Sequence, residues 1–319
     1  MRGRRWRRYP AALAVSLLLA AGTAGCVTRP LPAVGRPLAV NPLNDATRSD
    51  CGDQLGQLPA PVDDRLALIR RRGRLVAGVS RGTPGFALLG PGDPRPQGFD
   101  ADIVREVARA IFGNPDQVEY RYLNTKDRLG ALDAGSVDLE AANYSITCGR
   151  WQALAFSKEY YRDDQKVLVA NGSRAAAALS AATGRDDLIA RLRGRPVCAT
   201  TDSTSIYFLQ AHTRALPWGV DDNISCLALL QAGMVDAVAT DESIIRGLQS
   251  QDPNTTVLDP GLVTEPHGIA MGRGHRDLVE FVDRVLGQIC RDGTWQRIYD
   301  RWLGQWLATT PQVACSRGA

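Results

Sequence analysis

The chain writes the same passage twice, and that repetition limits its fold more than any other feature. Arg72-Gly-Arg-Leu-Val-Ala-Gly-Val-Ser-Arg-Gly-Thr83 is echoed by Arg193-Gly-Arg-Pro-Val-Cys-Ala-Thr-Thr-Asp-Ser-Thr204. Each reads as a charged turn, a short apolar strand and a loop of small residues. Further on, Leu132-Asp-Ala-Gly-Ser-Val-Asp138 is echoed by Leu230-Gln-Ala-Gly-Met-Val-Asp236. Each reads as a helix end, a glycine stop and the start of a buried strand. The order is the same in both halves, so two related lobes are expected. A helical period follows Asp100 at Ile103, Val107, Ala110 and Ile111, and recurs at Leu188, Ile189 and Leu192. Strands alternating with helices imply α/β lobes, each an open, mostly parallel sheet flanked by helices. Ligands of such sheets sit beyond the carboxyl ends of the strands. The loops at 80–86, 143–150, 200–205 and 240–242 are therefore the expected lining of a cleft.

The N-terminus reads as a targeting segment. Arg2, Arg4, Arg5, Arg7 and Arg8 precede an apolar run from Ala11 to Ala21, too short to span a bilayer. Thr23-Ala-Gly-Cys26 resembles the lipobox of bacterial lipoproteins. It implies removal of residues 1–25 as a signal peptide and lipidation of Cys26 on the outer face of the plasma membrane. A diacylated cysteine suffices for stable anchoring. The formal net charge of +4 would lose five arginines and no acid with that segment, leaving −1. No basic stripe then argues for nucleic acid. Residues 26–62 are rich in Pro, Gly, Asn and Asp and read as a flexible tether. The rest of the chain exceeds one typical core.

Cys51, Cys148, Cys198, Cys226, Cys290 and Cys315 remain beyond Cys26. An even number in an exported chain predicts disulfides, with connectivity left open by spacing alone. No C-x-x-C occurs, and His212, His267 and His275 show no ligand spacing, so neither a metal site nor a cofactor is expected.

The chemistry concentrates in residues 138–161. Ser145, Thr147 and Arg150 place two hydroxyls and a guanidinium within six residues. A guanidinium matches a carboxylate in bidentate fashion, and hydroxyls take the remaining lone pairs. A surface arginine after a strand, with Ser and Thr capping a helix, is the alternative for those residues alone. Asn143-Tyr-Ser-Ile-Thr-Cys-Gly-Arg150 followed by Phe156-Ser-Lys-Glu-Tyr-Tyr161 resembles the carboxylate clamp of the family 3 extracellular solute-binding proteins. These capture polar amino acids for ABC importers. The resemblance covers about residues 66–305. It includes Arg74-Leu-Val-Ala-Gly-Val79, Gln97-Gly-Phe-Asp-Ala-Asp102 and Gly293-Thr-Trp-Gln-Arg-Ile-Tyr-Asp-Arg-Trp-Leu-Gly304.

That resemblance implies a two-lobed, type II periplasmic-binding-protein-like fold with a two-stranded hinge. Lobe 1 would comprise residues 63–166 and 264–319, and lobe 2 residues 167–263. Arg150 and Ser145 would meet the α-carboxylate, with Asn143 a further ligand-binding residue. Asp241, with Thr240 beside it, would take the α-ammonium, unless Asp241 serves as a helix N-cap. Ser203 and Thr204 match a Gly-Ser-Thr loop that donates backbone N–H groups to an anion, although Asp202 stands where the family has glycine and is a candidate cap. Ser80, Thr83 and Thr125 occupy positions where many relatives carry an acid or aromatic walls, which disfavours large apolar side chains. Only three of the 38 basic residues are lysines: Lys126, Lys158 and Lys166. Arg81, Lys126, Arg128 and Lys166 are candidates to meet a ligand side-chain carboxylate. The Pro-Gly-Phe loop, Arg128 and the Cys198/Cys226 pair look most like actinobacterial glutamate- or glutamine-binding lipoproteins, which implies a Cys198–Cys226 bridge. Pairing Cys290 with Cys315 would tie down the tail, and Cys51 with Cys148 would then remain.

The resulting expectation is a lipid-anchored, monomeric receptor for glutamate, aspartate, glutamine or asparagine that serves an ABC importer permease. A sensor reporting to a membrane partner uses the same closure. An enzyme on this fold, such as a dehydratase, would need a tuned acid–base pair in the cleft, and none is legible.

Overall fold

The two echoed passages fold alike. Gly73 and Gly194 both adopt left-handed backbone, with φ of 76° and 70°, a conformation that costs glycine nothing. Each turns the chain into a strand. The second echo then docks beside the first by the same hydrogen bond: Asp138 N–H donates to the Val76 carbonyl, and Asp236 N–H to the Pro196 carbonyl, both at 2.8 Å. Asp138 also receives Arg65 and Arg72, and Asp236 receives Arg195. The charged turns are thus stitched to the strand starts beside them.

The computed structural model describes residues 40–47, 51, 58–59, 64–80, 82–90 and 92–307. Residues 1–25, Cys26, Arg81 and Cys315 lie outside them. Among the described residues the strands are β1 (Leu75–Ser80), β2 (Val118–Leu123), β3 (Leu139–Glu140), β4 (Leu154–Phe156), β5 (Tyr161–Ala170), β6 (Pro196–Thr200), β7 (Leu216–Val220), β8 (Ala237–Asp241), β9 (Thr255–Leu258), β10 (Thr264–His267) and β11 (Ala270–Gly272). One sheet has the order β2-β1-β3-β11-β4. The other has the order β10-β5-β8-β6-β7, with β9 also on β5. The echoed strands form a parallel core in each: β1 with β2 and β3, β6 with β7 and β8. The sheets are nevertheless mixed. Strands β4, β5, β10 and β11 carry the chain from one sheet to the other and back, and so pair antiparallel. β5 and β10 lie side by side from Tyr161↔His267 to Asp164↔Thr264. That pair is the two-stranded connection between lobes.

β1 is buried at all six positions, the mark of a strand covered on both faces. The helix Phe99–Phe112 covers it and buries Ile103, Val104, Val107 and Ala108. The apolar stripe is therefore turned relative to the expected one: Ala110 is exposed and Ile111 half-buried. The final helix, Thr294–Trp302, seats Trp295 against Phe99 and Tyr299, with the indole N–H donating to the Tyr160 carbonyl at 2.8 Å. The second lobe has its own core of Val167, Leu188, Val197, Leu209 and Ala237. Among the described residues no helix is long and apolar enough to cross a membrane.

Two disulfides join described cysteines, Cys51–Cys148 and Cys198–Cys226, the pairs expected. Cys290 is also disulfide-bonded; its expected partner, Cys315, lies outside the described residues. Part of the stretch expected as a tether, residues 26–62, is described and is anchored. Pro42–Asn44 forms a 3-10 turn, with Asn44 and Ala46 buried, and Cys51 is bridged to the main body. Two-residue anchors spaced along a polar stretch leave no hydrophobic period to read.

Candidate functional site

One wall is built on the end of β3. The chain leaves that strand through Asn143, whose φ of 49° is left-handed and whose N–H donates to Asp100 Oδ2 at 2.7 Å. Asp100 also accepts from the Tyr160 hydroxyl, and burial raises its pKa to about 6. Ile146 N–H then donates to the Pro266 carbonyl at 2.7 Å, and Gly268 N–H to the Tyr144 carbonyl at 3.0 Å. The loop is thereby zipped to the returning hinge strand β10. Thr147 caps the helix Cys148–Ala153 by accepting from the Arg150 N–H at 3.1 Å.

That cap aims the Arg150 side chain back over its own loop. Nη1 donates to the Ser145 carbonyl at 2.7 Å, Nε donates to Asn44 Oδ1 at 3.0 Å, and the guanidinium carbon lies 4.7 Å from the Tyr144 ring centre. Burial lowers its pKa, yet a guanidinium stays charged at any ordinary pH. Among the described residues no protein atom accepts from Nη2. The Arg128 guanidinium also lies over that ring, 5.2 Å from its centre. Its Nη2 donates to Ser80 Oγ at 2.7 Å, and its Nε sits 3.0 Å from Glu140 Oε1. Burial pushes Glu140 to about 7 against the pull of both arginines.

The facing wall comes from the second lobe. Ser203 caps the helix Thr204–His212 by accepting from the Ile206 N–H at 3.0 Å. Asp202 is not that cap: it takes a left-handed φ of 60°, the conformation a glycine would supply. Asp241 ends β8 at the N-cap position of the helix Glu242–Gln251, but its side chain makes no cap hydrogen bond. Asp163 does that work, accepting from the Ser243 N–H at 3.0 Å. Asp241 is left to accept from Asn143 Nδ2 across the cleft, while among the described residues its buried Oδ1 has no hydrogen-bond partner. Burial, and then the nearby Glu265 and Asp163, hold its pKa well above the ordinary carboxylate range.

Asn143–Asp241 is one of several contacts that bring the lobes together. Ser145 Oγ lies 3.4 Å from Thr204 Oγ1, Thr125 Oγ1 3.5 Å from Thr200 Oγ1, and Lys126 Nζ 2.6 Å from Asp221 Oδ1. The lobes close over a cavity that is partly open to solvent. Ser80, Thr83, Thr125, Arg128, Asn143, Ser145 and Arg150 line it from lobe 1. Ser203, Thr204, Thr240 and Asp241 line it from lobe 2. Two expected residues stand apart. Lys126 sits on the rim in its ion pair with Asp221, and Lys166 turns away to Glu242 and Asp259. The reason is strand parity: Gln165, one residue earlier on β5, takes the inward face and bonds Thr204 Oγ1 at 3.1 Å.

Asp241, Glu265 and His267 present ligand atoms within 4.8 Å of one another, all buried. The histidines show no metal spacing, and this grouping arises only because β8 and β10 both pair with β5, which brings the end of β8 near β10. Glu265 already accepts from Gln165 and Thr204. His267 is held neutral, its pKa lowered to about 3 by burial and then by Arg150 and Arg128. Two guanidiniums this close oppose a divalent cation. Sequence reasoning missed Glu265, His267, Gln165, Asn44 and Asn223. Glu265 and His267 sit on the four-residue β10, Gln165 within β5 and Asn44 in the polar stretch before the core.

Closed lobes, two connecting strands and a polar cavity between them define a type II binding protein. Residues 75–305 match the bacterial extracellular solute-binding proteins, family 3, and the chain belongs to that family. It is 27% identical over 240 residues to the ABC transporter glutamine-binding protein GlnH of Bacillus subtilis, covering 75% of this chain and 85% of that one. It is 28% identical over 291 residues to the glutamate-binding protein GluB of Corynebacterium glutamicum, covering 85% and 90%. The crystal structure of the ancestral amino-acid-binding protein AncCDT-1, a precursor of cyclohexadienyl dehydratase, superposes with a TM-score of 0.66 at 24% identity. It covers 75% of this chain and 99% of that one and shows the fold alone.

Proposed function

We propose that this chain captures a polar α-amino acid between its lobes and presents it to the permease of an ABC importer. One observation carries this: among the described residues Arg150 Nη2 has no acceptor and Asp241 Oδ1 no hydrogen-bond partner, and the two residues belong to opposite walls of one cavity. A zwitterion satisfies both at once, a carboxylate on the guanidinium and an ammonium on the carboxylate. The cluster around Asp241 suits a monovalent ammonium better than a metal. Arg128, Ser80, Thr83 and Thr125 remain for the side chain, so glutamate, aspartate, glutamine and asparagine are the proposed ligands. Relatives named for glutamine and glutamate binding support that class. Residues 63–166 with 264–319 would move as one lobe and 167–263 as the other, about β5 and β10. Residues 1–25 would be removed and Cys26 lipidated, holding the receptor outside the plasma membrane. A membrane sensor is an equivalent partner for the same closure. An enzyme is the lesser reading, resting on the raised Asp241 and Glu265 carboxyls.

Calorimetric titration with the twenty amino acids tests the proposal. Saturable binding of one or more of the four named ligands is the expected outcome, with the ligand recovered unchanged. Tight binding confined to apolar amino acids would refute the ligand class, and chemical conversion of the ligand would establish the enzyme instead.

A further inference from the structure

The segment before the core docks against the helix that carries Arg150. Asn41 caps the turn Pro42–Asn44 by accepting from the Leu43 N–H at 3.1 Å. The Leu43 carbonyl accepts from Thr147 Oγ1, the residue that caps the arginine's own helix. The approach is close enough that a Cβ on Gly149 would lie 2.5 Å from Leu43 Cα, so glycine is required there. Cys51–Cys148 ties the same segment to the same helix. Everything in this docking delivers one side chain, Asn44, which is 4% exposed. Arginine Nε can only donate, so the atom 3.0 Å from it is the amide oxygen.

We infer that Asn44 is a positioning residue of the amino-acid clamp, fixing the Arg150 guanidinium so that its free edge faces the cleft. This rests on the carboxylate role of Arg150 proposed above. The Ser145 carbonyl and the Tyr144 face restrain the guanidinium from two other directions. With Nε also held, the long side chain has no rotamer freedom left to lose when the ligand arrives. The identity of the residue matters as well as its place. An amide oxygen orients the cation and leaves its charge for the ligand. A carboxylate there would pair with the guanidinium and compete with the ligand for it.

That distinction supplies the test. Ligand affinity and ligand-free thermal stability are measured for Asn44→Ala, Asn44→Asp and Arg150→Ala, using whichever amino acid the parent protein binds best. Asn44→Ala is expected to bind about three- to tenfold more weakly, the range of one lost hydrogen bond. Asn44→Asp keeps shape and folding competence yet is expected to bind more weakly than Asn44→Ala. A residue that merely packed the segment would give the reverse order. If Arg150→Ala loses binding while Asn44→Asp binds like the parent, the inference is overturned and the clamp stands. If Arg150→Ala itself binds like the parent, the clamp fails and the inference with it.

Discussion

The ends of β3 and β8 occupy the same place in the two halves of the echo, yet they deliver opposite charges by different means. After β8 the chain turns directly into a helix, and Asp241 is the turning residue itself. After β3 it runs through the seven residues 141–147, pinned by Asp100 and by β10, into the helix from which Arg150 folds back. A short side chain on a rigid strand end needs little support. A long one needs a carbonyl, a ring and an amide to hold it. On the proposed function, a common fold half would present either pole of a zwitterion, and the cationic pole would take more architecture.

Removing either pole should show that asymmetry. Arg150→Ala is expected to weaken amino-acid binding at least a hundredfold, about 3 kcal/mol or more, because a ligand carboxylate would be shut in without a partner. Asp241→Asn should follow, with a smaller loss, since Asn143 and the hinge groups remain beside it. An Asp241→Asn protein that loses more than Arg150→Ala would invert the comparison.

A second expectation concerns the ligand side chain. Arg128 is the basic candidate that lines the cavity among the described residues. If it meets a side-chain carboxylate, acids should bind roughly tenfold better than their amides, and Arg128→Met should level them. Amides binding better in the parent would instead assign the side chain to Ser80, Thr83 and Thr125.

The acids behind the cationic wall predict a pH signature. Glu140 is raised from 4.5 to about 7 by burial. Between those values the folded chain holds a proton that the unfolded chain has released, so stability falls as pH rises from about 4.5 to 7 and stays lower above. His267, lowered to about 3, has the opposite sign, losing stability as pH drops below about 6.5. Comparing Glu140→Gln with the parent by denaturant titration cancels the histidine. The variant's relative stability should rise across pH 4.5–7, by up to ~3 kcal/mol. A flat difference would mean that Arg128 keeps Glu140 ionised throughout. The smallest effect should come from the rim: Lys126 and Asp221 are exposed, so Lys126→Met should change affinity less than about threefold.

Much of this was legible in the residues. The echoed glycine turns and strand ends marked both lobes, and Ser145-Ile-Thr147 with Arg150 marked residues that the structure gathers at one cleft wall. The hinge acids were not, because β10 is four residues long and its Glu265 and His267 are read only against β5 and β8. Lys166 was misplaced because an alternating strand sends neighbours to opposite faces, and nothing local says which face is the cleft. Asn44 was hidden in a segment whose order comes from a disulfide and single contacts rather than from a hydrophobic period.

The central claim is that one zwitterion spans both poles. It is tested most directly by titrating the protein with three forms of its best ligand: the amino acid, the same molecule lacking the α-ammonium, and the same molecule lacking the α-carboxylate. The account predicts strong binding of the first and at least a thirtyfold loss for each of the others, about 2 kcal/mol or more, with the larger loss on removing the carboxylate. Binding of either truncated molecule as tightly as the intact amino acid would contradict it.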